Sequence, residues 1–280
     1  MVPGPSSRAF PGLRLTNPVL VCHTRSVVKR AVDWAITLPF VLSFVVVLLV
    51  FDPIQRVARL FGQRPQEIAA GWLQVWLVRS LYVSGARLSV ERSPAVEKNT
   101  PYIIVSNHQS MFDIPFAGSL LFSNFPKYVS KKSLARWLPS ISYNLRRGGN
   151  ALIERSDRDQ ATKAIRKLGE YAQRRGVSAL IYPEGTRARA GVLQPFKMTG
   201  VLELLRAAPN LPVVPFAVDN SWKLLRHSLL PMPFGTRLRV WIGDPIKRHP
   251  DEDPKALVEQ ARRGIEMTLE RWREAESANA

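Results

Sequence analysis

Hydrophobic patterning divides the chain into two unlike parts. Between Asp33 and Asp52 no residue is charged, and residues 34–51 are dominated by Leu, Val and Phe. As a helix rising about 1.5 Å per residue, this block is roughly 27 Å long, close to the hydrocarbon thickness of a bilayer. A second apolar stretch, residues 68–83, carries Trp72, Trp76, Leu77, Leu81 and Tyr82, with Arg79 as its only charge. Trp and Tyr in such a setting favour the membrane–water interface. Arg25, Lys29 and Arg30 precede the first stretch and a basic region follows the second. Cations favour the cytoplasmic side, so the two stretches are expected to form a membrane-associated helical hairpin, crossing twice or dipping into one leaflet.

From about residue 100 the pattern turns globular. Short β-rich runs at 102–106, 127–130, 151–153, 177–182, 213–218 and 237–242 predict strands. Segments 113–122, 133–146, 157–174, 197–207 and 254–275 predict helices. This alternation predicts an α/β fold, a mostly parallel mixed sheet flanked by helices. The expected organisation is an irregular basic segment over 1–30 and the hairpin over 31–95. An α/β domain over 96–248 and a C-terminal helix over 249–280 complete it.

Composition narrows the chemistry. The 280 residues are 46% hydrophobic, which excludes a disordered chain, and 40 Lys+Arg against 22 Asp+Glu give a net charge of +18. Such a surface suits polyanions: anionic lipid, phosphorylated substrates or nucleic acid. No zinc, helix-turn-helix or aromatic RNA-binding signature is present, and a nucleic-acid binder has no use for the apolar hairpin. The single cysteine, Cys22, can form neither an intramolecular disulfide nor a multi-cysteine metal site.

Three expected strand ends carry polar clusters, the place where open α/β sheets gather ligands. The first is Asn107-His108-Gln109-Ser110-Met111-Phe112-Asp113, the second Glu154-Arg155, the third Pro183-Glu184-Gly185-Thr186-Arg187. His108 and Asp113 are about 140° apart on an ideal helix. They can meet only if His108 lies in the strand-to-helix turn and Asp113 in the first helical turn. A carboxylate there would fix the imidazole's tautomer and raise its basicity, as a general base acting on an alcohol requires. Ser110 and Asp113 also have the spacing of a capping box, a compatible reading. Arg155 and Arg187 are planar donors suited to phosphate oxygens, and Gly185 permits close backbone approach.

These clusters resemble the signature blocks of the glycerolipid acyltransferases. Asn107, His108, Ser110 and Asp113 match the first block, 151–155 the second, Tyr182 to Arg187 the third and Leu211-Pro-Val-Val-Pro215 the fourth. The chain differs from the usual pattern in having Glu154 for Asp and Ala188 for Ser. The resemblance is closest to the bacterial-type 1-acylglycerol-3-phosphate acyltransferases. It implies acyl transfer from acyl-CoA or acyl-carrier protein to the sn-2 hydroxyl of a lysophospholipid, giving phosphatidic acid in phospholipid synthesis. It further implies His108 as general base oriented by Asp113, with Arg155, Glu184, Gly185, Thr186 and Arg187 binding substrate. Neither metal nor cofactor is expected, the partners being the bilayer, the lysolipid and the acyl donor, at the cytoplasmic face of a bacterial inner membrane. Another lysolipid acceptor, such as a lyso-ornithine lipid, or a non-catalytic lipid-binding protein of the same fold, remains the alternative.

Overall fold

The structure, a computed structural model, describes residues 18–226, 230–249 and 252–278, with side chains from residue 28 onward. Helix α1 (Pro18–Leu60) leads into α2 (Gln63–Leu81) through Gly62, whose φ of +118° suits a residue without a side chain. The irregular segment expected over 1–30 is corrected from Pro18 onward, where the chain is helical; residues 1–17 lie outside the described residues. Proline is tolerated in a first helical turn because the N–H it lacks would be unpaired there.

Seven strands follow: β1 (Arg87–Arg92), β2 (Ile103–Ser106), β3 (Lys127–Lys131), β4 (Ala151–Ile153), β5 (Ala179–Ile181), β6 (Val213–Asp219) and β7 (Arg237–Ile242). Their order is β1-β7-β6-β2-β5-β3-β4, parallel throughout except for the antiparallel β6–β7 pair. The sheet is therefore mixed and mostly parallel, as expected. Strand β1 is the addition. It pairs with β7 at Leu88↔Leu238 and Val90↔Val240, so the sheet begins at Arg87, inside the segment assigned to the hairpin.

Helices α3 (Asp113–Leu120), α4 (Ile141–Arg147), α5 (Arg158–Arg175), α6 (Met198–Ala207) and α7 (Pro254–Ala278) connect and cover the strands. The helix expected over 133–146 is reduced to α4. Pro139 lacks an N–H to donate, and Ser140 takes a φ of +60°, which no helix continues through. Alternate residues of the buried central strands feed two cores. Ile104, Tyr128, Leu180 and Val214 pack with Phe40, Val78, Phe112 and Phe116 from α1, α2 and the α3 region. Ile103, Val105, Ala179 and Val213 pack with Ile165, Leu204 and Val258 from α5, α6 and α7.

The hairpin is bound to this domain. On α1, Thr37, Phe40, Leu48, Phe51 and Gln55 form a buried stripe at helical spacing, while Leu38, Leu42, Val46, Leu49 and Val50 face outward. Asp33 Oδ1 accepts the Phe234 N–H at 2.8 Å, and Thr37 Oγ1 accepts the Met232 N–H at 2.8 Å. Among the described residues, Val28–Leu60 is the one helical stretch long and apolar enough to cross a membrane. Helix α2 does not match the second spanning arm allowed above. It directs Gln66, Glu67 and Gln74 inward, and these meet Asn144, Lys127 and Tyr128 of the α/β domain.

Candidate active site

Because β2, β5, β3 and β4 run parallel, their carboxyl ends share one rim. Beyond β2, the Asn107 carboxamide acts as one more rung of the ladder. Its Nδ2 donates to Val218 O and its Oδ1 accepts from Val218 N, both at 2.8 Å. This pins the turn in which His108 stands, five residues before Asp113 opens the helical register of α3.

His108 Nδ1 lies 2.8 Å from Asp113 Oδ2, and the Asp113 side chain is wholly buried. Donors converge on that carboxylate. Oδ2 also accepts from Gln109 N at 2.6 Å and Ser110 N at 2.8 Å; Oδ1 accepts from Ser110 Oγ at 3.2 Å and Ser221 Oγ at 2.6 Å. The Ser110 amide reaching the acid three residues on is one half of the capping-box pattern, but α3 opens at Asp113 with Phe112 at its N-cap and no side-chain cap bond, so Ser110 braces the turn before the helix and does not cap it. With Nδ1 engaged, Nε2 is left for a reacting group; among the described residues it has no hydrogen-bond partner.

The loop after β5 grips His108 from three sides. Tyr182 stacks on the imidazole at 4.1 Å between ring centroids, 17° from parallel. Glu184 Oε1 accepts the His108 N–H at 2.6 Å, and Ala188 N donates to His108 O at 2.7 Å. The other Glu184 oxygen accepts the Gln194 N–H at 3.0 Å. Burial pushes the Glu184 carboxyl up to about 7, with nearby Asp113 adding to the rise and the two backbone donors opposing it. Burial likewise raises the Tyr182 phenol well above its ordinary value.

Cations border the site. Arg155 follows β4 and Arg187 ends the loop after β5, both exposed. Neither has an ion-pair partner among the described residues. Partial loss of solvent around the Arg187 guanidinium and the like charge of Arg155 lower its pKa, while Asp113 acts the other way. Gly185 has φ +71°, and a Cβ there would come within 3.2 Å of Lys197 Nζ, so a third cation leans over the same loop. Thr186 is exposed on that loop.

The structure thus brings His108, Asp113, Glu184, Gly185, Arg187 and, through its charge, Arg155 to one rim. It turns Glu184 away from the substrate-facing position expected of it, since both carboxylate oxygens are occupied by backbone N–H groups. Ser221, Asn107, Tyr182 and Lys197 join the site without having been singled out as site residues. Tyr182 and Asn107 lie inside the quoted blocks, which is the signal that could have found them; Ser221 carries none.

Comparison with known proteins gives the family and the fold. The Acyltransferase family model matches residues 87–219, from β1 to the end of β6. The chain is 35% identical over 136 residues to the 1-acyl-sn-glycerol-3-phosphate acyltransferase of Salmonella typhimurium, covering 48% of this chain and 54% of that one. It thus spans about half the length of that relative. Over 196 residues it is 32% identical to the 1-acyl-sn-glycerol-3-phosphate acyltransferase beta of Homo sapiens, 69% of each chain. Its fold is shared with the crystal structure of the 1-acyl-sn-glycerophosphate (LPA) acyltransferase from Thermotoga maritima. That match has a TM-score of 0.70 at 21% identity and covers 88% of this chain and 98% of that one.

Proposed function

The chain belongs to the acyltransferase family that includes the 1-acyl-sn-glycerol-3-phosphate acyltransferases, and on that premise we propose that it acylates the sn-2 hydroxyl of 1-acylglycerol-3-phosphate from an acyl thioester. The donor is acyl-CoA or acyl-carrier protein and the product phosphatidic acid. The observation that carries the reading is the His108–Asp113 contact of 2.8 Å, made through Nδ1 and leaving Nε2 open.

His108 Nε2 takes the proton of the acceptor hydroxyl as its oxygen attacks the thioester carbonyl. The tetrahedral adduct collapses, the carbon–sulfur bond breaks, and the imidazolium returns the proton to the leaving thiolate. Asp113 holds the ring by Nδ1–H and offsets the charge the imidazole acquires. General-base assistance of this kind is worth about 10²–10⁴ in rate. A thioester is already activated, so no covalent enzyme intermediate is needed. Arg155 and Arg187, exposed and unpaired, hold the acceptor's phosphate, with Gly185 and Thr186 at the same edge. Glu184 works one step back, fixing the backbone of His108.

The outward apolar face of α1, with Trp72 and Trp76 exposed on α2, associates the chain with the membrane in which acceptor and product reside. A helix buried along one side and apolar along the other suits immersion in one leaflet, with the basic rim toward the cytoplasmic face. The test is an assay of purified full-length protein with labelled acyl-CoA and acyl-carrier protein against a panel of lysolipids, alongside His108→Ala. Wild type is expected to acylate 1-acylglycerol-3-phosphate and the variant to lose turnover while still folded and membrane-bound. Unimpaired turnover by His108→Ala would remove the assignment.

A further inference from the structure

The loop leaving β3 presents an apolar tip that neither the core nor the reaction uses. From Lys131 to Pro139 only Ala135 is buried, and Trp137 is 89% exposed, flanked by exposed Leu134 and Leu138. A tryptophan left almost wholly in water is uncommon, because the ring is a large apolar surface. The loop is not slack. Ser142 Oγ accepts the Leu138 N–H at 2.9 Å and donates to Leu134 O at 3.1 Å, and the Arg146 guanidinium bonds Ala135 O. Three residues past Trp137, Ser140 is fastened to α1. Its N–H donates to Asp52 Oδ1 at 2.7 Å, its Oγ donates to Leu48 O at 2.6 Å, and its O accepts from Gln55 Nε2 at 3.3 Å.

Two further observations identify what the tip meets. Lys131, Lys132 and Arg136 surround it, all exposed, and no acid occurs between Ile114 and Ile153. The stretch of α1 that holds Ser140 does so on its inward side, through Leu48, Asp52 and Gln55, and exposes Val45, Val46, Leu49, Val50 and Ile54 elsewhere around the helix, so the tip is tied to a helix whose outward face is apolar. Tryptophan beside cations, on a loop fastened to a helix with an outward apolar face, is the composition of a bilayer interface. A protein partner would not call for both the cationic rim and the attachment to an apolar helix.

We propose that residues 131–139 form a second membrane-docking element: Trp137, Leu134 and Leu138 enter the headgroup–acyl boundary of an anionic bilayer while Lys131, Lys132 and Arg136 hold lipid phosphates. The inference rests on the membrane reading above and goes beyond it, because this element belongs to the α/β domain. The loop starts at the carboxyl end of β3, and β3 neighbours β5, whose continuation carries Tyr182 to Arg187. Docking there sets the His108 rim at the lipid boundary and fixes its tilt, which α1 and α2 alone would leave free to rotate.

The test uses the full-length chain in a Cys22→Ser background, with one introduced cysteine at Leu138→Cys, Leu42→Cys or Lys163→Cys. Each carries an environment-sensitive fluorophore and is mixed with vesicles of phosphatidylglycerol and phosphatidylethanolamine, with and without brominated acyl chains. Labels at 42 on α1 and 138 on the loop are expected to shift to the blue and be quenched by bromine, and the label at 163 on α5 to do neither. Adding Trp137→Glu should abolish quenching at 138 and leave that at 42. Quenching at 42 but not at 138 overturns this inference and spares the membrane reading; absence at both overturns the two together. A blue shift at 138 that grows with protein concentration without vesicles assigns the tip to a second copy of the chain and also overturns it.

Discussion

Ser221 and Asp113, 108 residues apart in the chain, meet at 2.6 Å on the side of the carboxylate turned away from the His108 ring. Ser221 is fully buried and follows β6, just after Asn220 takes the left-handed conformation at φ +65°. The hydroxyl anchors Oδ1 while Oδ2 faces the imidazole, so it governs the angle at which the carboxylate meets the ring. A hydrogen bond to a charged group contributes about 1.5–3 kcal/mol. Ser221→Ala is expected to lower kcat about 10-fold or more, with KM for donor and acceptor unchanged. Steady-state kinetics check this, and a raised KM at constant kcat would contradict a positioning role.

Glu184 gives the site a pH dependence. As a carboxylate it accepts two backbone N–H groups, from His108 and Gln194. Once protonated, it points an O–H at one of them and the grip on His108 loosens. With its carboxyl pushed up to about 7 by burial, activity falls as pH drops through that region. The stability sign is opposite. The folded chain holds this proton more tightly than an unfolded one, so the stability contribution is complete below about 4.5 and fades as pH rises toward about 7. In Glu184→Gln, with lower overall activity, the fall of log kcat centred near 7 should disappear; an unchanged acid limb would place Glu184 outside the titration.

Loss of solvent and then the like charge of Arg155 disfavour the charge of Arg187 at the rim, a tension that a bound phosphate relieves. Arg187→Ala is expected to raise KM for 1-acylglycerol-3-phosphate about 10- to 100-fold, the loss of one charge-assisted hydrogen bond. Arg155→Ala should act in the same direction. A monoacylglycerol without phosphate, measured in parallel, should be acylated equally by wild type and both variants. Equal loss on the two acceptors would mean that the guanidiniums serve the fold rather than the phosphate.

What could be read from the sequence follows from how local each relationship is. His108 and Asp113 belong to one strand–turn–helix, so five residues of spacing contain the whole geometry. The central strands announce themselves because burial on both faces demands Val, Ile and Leu. The grip of Glu184 on His108 left no trace, since its partners are backbone N–H groups 76 and 10 residues distant. Ser221 is hidden for a similar reason: a serine after a strand is ordinary until the sheet order sets β6 beside β2. Strand β1 was masked by its place directly after an apolar helix. The inward face of α2 was legible in principle, because Glu67 stands at the edge of an apolar stretch and Gln74 two helical turns further on, inside it. That marks a side turned toward protein rather than lipid.

That face of α2 supplies the last prediction. Glu67 Oε1 lies 2.9 Å from Lys127 Nζ on β3, and neither side chain is more than 6% exposed. Arg64 Nη1 reaches Glu67 Oε2 at 3.3 Å. Burial lowers the Lys127 pKa, and Glu67 opposes the shift. Removing one member leaves the other charged or unpaired in a dry site, which costs about 3–5 kcal/mol. Glu67→Ala should therefore lower the midpoint of chemical unfolding in detergent substantially. The double variant Glu67→Leu with Lys127→Met should recover most of the loss, because apolar side chains of similar size can replace a buried ion pair nearly neutrally. If the single variant is harmless, the pair does not hold α2 to the sheet; if the double is as damaged as the single, the pair fixes the docking of α2 and not merely its own charge.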